Sequence, residues 1–405
     1  MFVSQRLGVW TVGAFGGVGT TMVVGARAIA AGLVSDTGVA TNQPSFAPLD
    51  LVPLGEIVFG GHDVRPSTFG ESAYHIAKAS HSIDLEVLAA VRPELDRISS
   101  NVKVGTALNC GTAISRLVGS ESAASKGGLR ETAARLRRDL AEFRAEHELD
   151  HVVVVNLAST EPDLELERMP KTPAELEALL DAEDTDTVRP SLLYAYAALL
   201  EGCAFLNFTP SSAALCGALQ ELGKERGVPY MGSDGKTGET LVKSALAPMF
   251  KYRHLKVLSW QGYNILGDRD GEVLAHQENL ASKVRSKDSV LSSILGYELH
   301  THVGIDFVRS LDDRKTAWDF IHFKGFLDHK MSMEFTWHGC DAILAAPLVL
   351  DMCRLAELSL RRGESGAMRH LAPYFKSPLS GTEQDLHRQY DALATYLRER
   401  GMSVD

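Results

Sequence analysis

The stretch LGVWTVGAFGGVGTTMVVGARAIAAGL, residues 7–33, joins a short apolar segment, a glycine-rich turn and a second apolar segment. We predict a buried strand over Leu7–Val12, a turn over Gly13–Gly19 and a helix after it. Such a turn lets the backbone approach a pyrophosphate, and the helix N-terminus supplies N–H groups. The spacing is not a strict G-x-G-x-x-G, so dinucleotide binding and a plain tight turn both remain open.

The composition limits the class of protein. The chain has 405 residues, 45% hydrophobic and 23% charged, which is ordinary for a globular protein with two domains. A net charge of −11 argues against binding to nucleic acid or to an anionic membrane. Five scattered cysteines without C-x-x-C spacing fit a reduced cytoplasm. No apolar run reaches the ~18 residues of a membrane helix, and the start does not resemble a signal peptide.

Strand and helix patterns alternate along the first 250 residues. An amphipathic helix over Leu129–Glu148 leads into the strand HVVVVN, and a predicted strand over Leu51–Asp63 precedes both. The alternation predicts a doubly wound, Rossmann-like α/β domain. Longer strands follow residue 253, and helices return from Asp341. We therefore expect a nucleotide-binding domain over residues 1–239 and 340–405, interrupted by an α+β domain over residues 240–339. Asp63 could bind a ribose hydroxyl or be a turn aspartate.

Four lysines are candidates for a functional site. Lys283 and Lys287 have i, i+4 spacing, which places both amines on one face of a helix. Two such charges repel each other, so the pair suggests either an anion site or a solvated basic edge. Lys315 follows two aspartates after a predicted strand, and Lys376 lies in YFKSPL. Each of these two, taken singly, is compatible with an ordinary surface lysine.

Two turns end predicted strands. The segment MGSDGKTGET lacks P-loop spacing, but it places Asp234 and Lys236 at the carboxyl edge of the sheet, where ligands bind in open α/β folds. In NFTPSS, Ser211 or Ser212 is predicted to cap a helix, and its amides could also line a pocket. The sequence has no G-x-S-x-G or H-E-x-x-H, so hydrolase and metalloprotease functions have no support.

Ten segments follow one another in order along nearly the whole chain. By their first residues they are GAFGGVGTT at Gly13, IVFGGHD at Ile57, VVVNLASTE at Val153, LEG at Leu200 with NFTPS at Asn207, GSDGKTGET at Gly232, YNILGDRDG at Tyr263, SKVRSKDSV at Ser282, DDRKTAWDF at Asp312, GCDAILAAPLVLD at Gly339 and YFKSPL at Tyr374. Together these segments resemble the inositol-3-phosphate synthase (myo-inositol-1-phosphate synthase) family.

The resemblance implies a reaction in which NAD is held tightly and recycled. In the family, a hydride leaves C5 of glucose 6-phosphate and the resulting ketone acidifies the C6 hydrogens. An enolate then attacks C1 in an intramolecular aldol step, and the hydride returns. Ammonium groups suit the proton transfers and the developing oxyanions. The resemblance also implies a homotetramer in the cytoplasm, while a need for a divalent metal or ammonium ion stays open.

The resemblance assigns roles to individual residues. The expected catalytic residues are Lys283, Lys287, Lys315, Lys376, Asp234 and Asp341. We expect Lys283 and Lys315 to serve proton transfer at C5 and C6, and Lys376, with Lys287, to polarise the C1 carbonyl. The expected NAD contacts are Gly13, Phe15, Gly16, Gly17, Val18, Gly19, Thr20, Asp63, Ala158, Thr160, Asp234, Asp270 and Asp313. The expected substrate contacts are Asn207, Thr209, Ser211, Lys236, Tyr263, Asn264, Leu266, Lys283 and Lys287.

Several positions depart from the family pattern. His62 stands where the family usually has Trp, Glu239 where KSGQT has Gln, and Asp268-Arg269 where NNDG has two Asn. The lysines and aspartates are retained, so we expect the mechanism to hold while the sugar could differ. Glucose 6-phosphate is the leading hexose 6-phosphate. Fructose 6-phosphate, giving a five-membered cyclitol phosphate, is the alternative; a catalytically silent NAD-binding homologue and a simple dehydrogenase are others.

Overall fold

The computed structural model describes residues 5–118, 122–267, 290–312, 314–379, 381 and 383–403. Its strands are β1 (Leu7–Val12), β2 (Val58–Asp63), β3 (Val102–Val104), β4 (His151–Asn156), β5 (Ala204–Asn207), β6 (Pro229–Gly232), β7 (Lys256–Leu266), β8 (His300–Phe307), β9 (Arg314–Lys324), β10 (Lys330–Cys340) and β11 (Gly366–Ala367).

The α-helices alternate with the strands over most of the chain. They are α1 (Gly17–Ala30), α2 (Phe69–Ser80), α3 (Leu85–Ser99), α4 (Thr112–Val118), α5 (Leu129–Glu146), α6 (Pro173–Asp181), α7 (Pro190–Leu200), α8 (Gly217–Glu225), α9 (Gly238–Tyr252), α10 (Asp341–Arg361) and α11 (Leu386–Arg398). A further short helical segment covers residues 290–295. None of the described helices is long and apolar enough to cross a membrane.

The first sheet is parallel, with the strand order β11-β6-β5-β4-β1-β2-β3. The order reverses at β1, which pairs with β2 on one side and β4 on the other. In such sheets ligands bind at the carboxyl ends of the strands, beside the reversal. Val152–Val155 of β4 are buried because helices cover both faces of the sheet. The predicted Rossmann-like fold is therefore confirmed.

The second sheet has four strands in the order β10-β9-β7-β8. Strand β7 runs parallel to β8 and antiparallel to β9, and β9 pairs antiparallel with β10. One face packs on α9 through a core that includes Phe250, Trp260 and Ile321. Helix α10 starts directly after β10 and joins the core around α1. The chain thus leaves the first sheet, builds the second and returns.

The strand predicted to start near Leu51 is shorter than the apolar pattern suggested. The structure has a 3-10 turn over Leu54–Glu56, and β2 begins only at Val58. Pro53 has no backbone N–H to donate to a neighbouring strand, which disfavours sheet pairing at this point.

Candidate active site

The glycine turn after β1 is packed too tightly for side chains. Gly13 has φ of +82°, and a Cβ atom there would lie 3.0 Å from the Cα of Ala158 in the loop after β4. A Cβ on Gly19 would lie 2.6 Å from the carbonyl oxygen of Ala14. The turn therefore needs glycine both for its backbone conformation and for its close approach to the β4 loop.

The N-terminus of α1 is open to an anion. The residue that caps it is Gly16, no side chain of the described residues accepts from its first amides, and its first turn carries no acidic residue. The partial positive charge of the helix end is therefore not offset by an acidic side chain of its own first turn. Phe15 precedes the helix and is buried, while Val18 and Thr20 lie within its first turn. This cradle fits the pyrophosphate of a dinucleotide.

Asp63 at the end of β2 holds the glycine turn in place. Its Oδ2 accepts a hydrogen bond from the Phe15 amide at 2.7 Å. Its Oδ1 accepts from the Arg65 amide at 2.9 Å and faces the Arg65 guanidinium at 3.3 Å. A carboxylate oxygen can accept more than one hydrogen bond, so the predicted contact with a ribose hydroxyl remains compatible with these bonds.

A polar network joins the carboxyl ends of β4 and β5. Asn156 Nδ2 donates to Asn207 Oδ1 at 3.1 Å, and Thr209 Oγ1 donates to the same oxygen at 2.8 Å. The Ser211 amide donates to Thr209 Oγ1, and Asn156 Oδ1 accepts from the Ala158 amide. Asn207, Thr209 and Ser211, which were predicted to contact substrate, therefore form the rim of the site through hydrogen bonds to one another.

Lys376 and Asp234 form a buried ion pair. Lys376 Nζ lies 2.8 Å from Asp234 Oδ1, and the two side chains are 8% and 7% exposed. Asp234 occupies the turn after β6 with φ of +60°, and its carbonyl accepts from the Lys376 amide at 2.7 Å. Backbone and side chain together thus hold a lysine against a carboxylate 142 positions away in sequence.

Lys315 and Asp341 form a second pair on the other side of the same turn. Lys315 Nζ lies 3.0 Å from Asp341 Oδ2, where β9 begins and α10 starts. A Cβ added to Gly238 would lie 3.4 Å from Lys315 Nζ. The loop from Asp234 to Gly238 therefore has one lysine–aspartate pair at each end.

Lys236, in the middle of that loop, is enclosed. Its side chain is 1% exposed, and Nζ donates to Gln389 Oε1 of α11 at 2.5 Å. Burial lowers the pKa of Lys236 from 10.5 to about 8, with Glu383 opposing this shift and Lys376 adding to it. The predicted substrate lysine is thus held by the C-terminal helix, a contact that sequence reasoning missed.

A buried charged cluster lies directly after the loop. Lys243 Nζ is 2.6 Å from Glu239 Oε1, and both side chains are 0% exposed. Glu239 Oε2 accepts from Asn264 Nδ2 of β7 at 2.6 Å. In the sequence, Glu239 is recognisable only as a departure from the family pattern. The i, i+4 spacing of an acid and a lysine was the signal that could have found the pair.

Some of the remaining predicted residues are described by the structure, and four are not. Leu266 is buried on β7 opposite Lys315, whereas Tyr263 is 44% exposed on the other face, against His302 and Trp318. Thr160 is buried in the loop after β4. Four predicted residues lie outside the described part of the chain: Lys283, Lys287, Asp270 and Asp313. The described residues contain no cluster of His, Cys, Asp and Glu suited to a metal ion.

His62 belongs to the core. The Trp10 indole N–H donates to His62 Nδ1 at 2.9 Å, so the proton of a neutral ring sits on Nε2, 3.0 Å from Asp139 Oδ2. Burial lowers the pKa of His62, and Asp139 opposes that shift only in part. This departure from the family pattern therefore changes core packing, through groups that are themselves buried.

The sequence model of the NAD-binding myo-inositol-1-phosphate synthase family matches residues 7–398. The chain belongs to this family. It is 35% identical over 418 residues to inositol-3-phosphate synthase 1 of Bacteroides thetaiotaomicron, an alignment covering 97% of this chain and 95% of the relative.

Two crystal structures share the fold. Inositol-3-phosphate synthase of Caenorhabditis elegans has a TM-score of 0.88 at 23% identity, covering 100% of this chain and 87% of that one. A myo-inositol-1-phosphate synthase-related protein of Thermotoga maritima has a TM-score of 0.80 at 22% identity, covering 99% and 100%. The protein is thus an enzyme of the isomerase class, an intramolecular lyase, with an NAD-binding Rossmann-like fold.

Proposed function

We propose that the protein is an NAD-dependent cyclase that converts glucose 6-phosphate to 1D-myo-inositol 3-phosphate. The observation that carries the proposal is the pair of lysine–aspartate contacts at the two ends of the Asp234–Gly238 loop. Cyclisation needs proton donors at two positions of one small sugar, and two positioned amines beside one short loop meet that need. NAD, when bound, would supply a hydride acceptor and donor.

Each amine has a distinct task in this proposal. Lys315, together with Lys283, moves the protons at C5 and C6 and stabilises the enolate. Lys376, with Lys287, donates to the C1 carbonyl oxygen as negative charge develops there. Asp341 and Asp234 hold the two described amines in place. Such groups act most strongly where water is excluded, and Lys376 and Asp234 are almost fully buried.

The cofactor is proposed to stay bound between turnovers. The turn around Gly13 and the open end of α1 would hold the pyrophosphate, with Asp63 nearby for a ribose. Asp270 and Asp313 are kept as proposed NAD contacts from the family resemblance. Release of NAD is unnecessary because the hydride it takes up returns to the same sugar. No net NADH should therefore accumulate.

The assembly is proposed to be a homotetramer in the cytoplasm, with the inserted domain over residues 240–339 forming contacts between subunits. The support lies on the second sheet. Tyr263 and Trp318 are 44% and 37% exposed on its open face, and Phe326 and Leu327 are 88% and 85% exposed at the β9–β10 turn. Exposed apolar groups of this kind often mark an interface.

The decisive experiment incubates the protein with NAD and either glucose 6-phosphate or fructose 6-phosphate, and determines the product's ring size by NMR. We expect a six-membered inositol phosphate from glucose 6-phosphate without net NADH. A five-membered product from fructose 6-phosphate would replace the proposed substrate. Accumulating NADH would indicate a dehydrogenase, and binding of NAD without turnover would indicate a silent homologue. Repeating the assay with EDTA and with ammonium salt tests the need for either ion.

Variants link the activity to the site. Lys315→Met and Lys376→Met should each lower kcat by about 100-fold or more, the usual contribution of a positioned acid or base. Lys324→Met is the matched control, because Lys324 lies at the far end of β9 and pairs with the exposed Asp328. Equal activity in Lys315→Met and Lys324→Met would contradict the assignment of Lys315.

A further inference from the structure

The side-chain amide of Asn264 has one satisfied end and one unsatisfied end. Nδ2 donates to Glu239 Oε2 at 2.6 Å. The residue is 1% exposed, yet its Oδ1 has no hydrogen-bond partner among the described residues. A buried amide oxygen without a donor is costly, and native proteins rarely leave one without a purpose. The structure therefore calls for a donor at this oxygen.

Glu239 determines which end of the amide points away from it. A carboxylate accepts hydrogen bonds and donates none, so Asn264 can meet Glu239 only with its NH₂ group. Lys243 Nζ lies 2.6 Å from the other oxygen, Glu239 Oε1, and is equally buried, so a donor group faces the carboxylate on that side as well. Because Nδ2 donates to Glu239, the end of the amide that points away from Glu239 is Oδ1.

Asn264 lies on the face of the sheet that carries Lys315. In β7 and β9, Leu266 is opposite Lys315 and Asn264 is opposite Ala317. Directly opposed residues, and residues two apart in one strand, share a face. The same face carries Gly262, where an added Cβ would lie 2.1 Å from Glu239 Oε1. Asn264 is therefore two residue pairs along the sheet from the proposed catalytic amine, on the same face.

We propose that Glu239 is a specificity-determining residue, which orients Asn264 so that its Oδ1 accepts a hydrogen bond from one hydroxyl of the sugar phosphate. The inference rests on the proposed function and adds the chemistry of one contact. An acceptor at this position favours a carbon that bears a hydroxyl. It disfavours a carbonyl, a fluorine or a hydrogen there, because none of these can donate to Oδ1.

The first test compares Asn264→Leu with the wild type in the NAD-loaded protein. The probes are the accepted hexose 6-phosphate and its 2-, 3- and 4-deoxy analogues, with Kd measured by calorimetry and kcat/KM by product formation. The wild type should lose about tenfold on one deoxy analogue, the worth of one hydrogen bond to a buried acceptor. Asn264→Leu should lose a similar factor on the parent sugar and nothing more on that analogue. Gln261→Leu, on the opposite face of β7, is the matched control.

The second test addresses Glu239. In Glu239→Gln an amide can donate to Asn264 Oδ1, so Asn264 can turn and present NH₂ to the ligand. Discrimination against the corresponding deoxyfluoro analogue should then fall, while a purely structural role would lower all substrates alike. Because this change leaves Lys243 without its carboxylate, Glu239→Gln/Lys243→Met is measured beside it, with circular dichroism and NAD binding as checks on folding.

The outcomes separate the two proposals. Turnover with no coupling between Asn264 and any single hydroxyl would overturn the specificity inference alone. Binding with coupling but no cyclised product would overturn the proposed function and leave the Asn264 contact standing. Failure to bind any hexose 6-phosphate would overturn both.

Discussion

Lys236→Met should change how the stability of the protein depends on pH. Burial lowers the pKa of Lys236 from 10.5 to about 8 in the folded chain, with repulsion from Lys376 adding to the effect. Below about pH 8 both folded and unfolded chains carry the proton, and the folded chain bears the cost of a buried charge. Between about 8 and 10.5 the folded chain releases the proton first, so its stability rises with pH.

The size of this rise follows from the pKa. Each pH unit by which a pKa falls is worth about 1.4 kcal/mol, so Lys236 should contribute roughly 3 kcal/mol across this pH window. The methionine variant removes this contribution. At neutral pH part of the gain is offset, because Gln389 Oε1 loses its donor at a cost of about 1–3 kcal/mol. The change in slope is therefore the sharper observable.

Urea unfolding at a series of pH values from 7 to 10.5 measures it. The difference in free energy of unfolding between Lys236→Met and the wild type should shift by roughly 3 kcal/mol across the series, in favour of the wild type at high pH. Lys224→Met, which removes an exposed lysine of α8, should run parallel to the wild type. Parallel curves for Lys236→Met as well would refute the argument that Lys236 is buried as a destabilised charge.

Two further predictions concern the cofactor turn and the core. Gly13→Ala should abolish NAD binding, because its Cβ would lie 3.0 Å from Ala158 Cα at a φ of +82°, whereas Gly25→Ala, with nothing within 4 Å, should keep NAD affinity unchanged in fluorescence titration. Asp351→Ala should cost about 3–5 kcal/mol of unfolding free energy in urea, because it removes the buried acceptor of three hydrogen bonds and the nearby negative charge that opposes the burial-lowered pKa of Arg354; a loss below about 1 kcal/mol would mean that the neighbouring loop relaxes to compensate.

The first sheet could be predicted from local sequence patterns. The run of valines in β4 predicts a strand buried on both faces, and the glycines after β1 predict the turn into α1. Both patterns involve residues that are neighbours in sequence, so they can be recognised without knowledge of the rest of the fold. The predicted strand before Val58 began too early for the same reason. The apolar residues near Pro53 pack in the core, but they do so from a 3-10 turn and not from a strand.

The candidate active site could be predicted from the sequence only in part. Motif resemblance placed Lys315, Lys376, Asp234 and Asp341 in one site without pairing them. The structure adds the pairing, with Lys376 Nζ 2.8 Å from Asp234 and Lys315 Nζ 3.0 Å from Asp341. The resemblance also grouped Tyr263 with Asn264. Alternation along a strand sends these neighbours to opposite faces, and the packing of α9 decides which face belongs to the site.

The sequence by itself determined the Rossmann-like architecture, the family and the set of lysines and aspartates that carry the proposed chemistry. These depend on glycine conformations, apolar periodicity and ordered motifs, which are local properties of the chain. Only the tertiary structure decided the environment of each polar group. Lys236 meets Gln389 across 153 positions, and Asn264 meets Glu239 between two elements. Burial and the direction of a hydrogen bond arise from packing between distant segments, which no local pattern encodes.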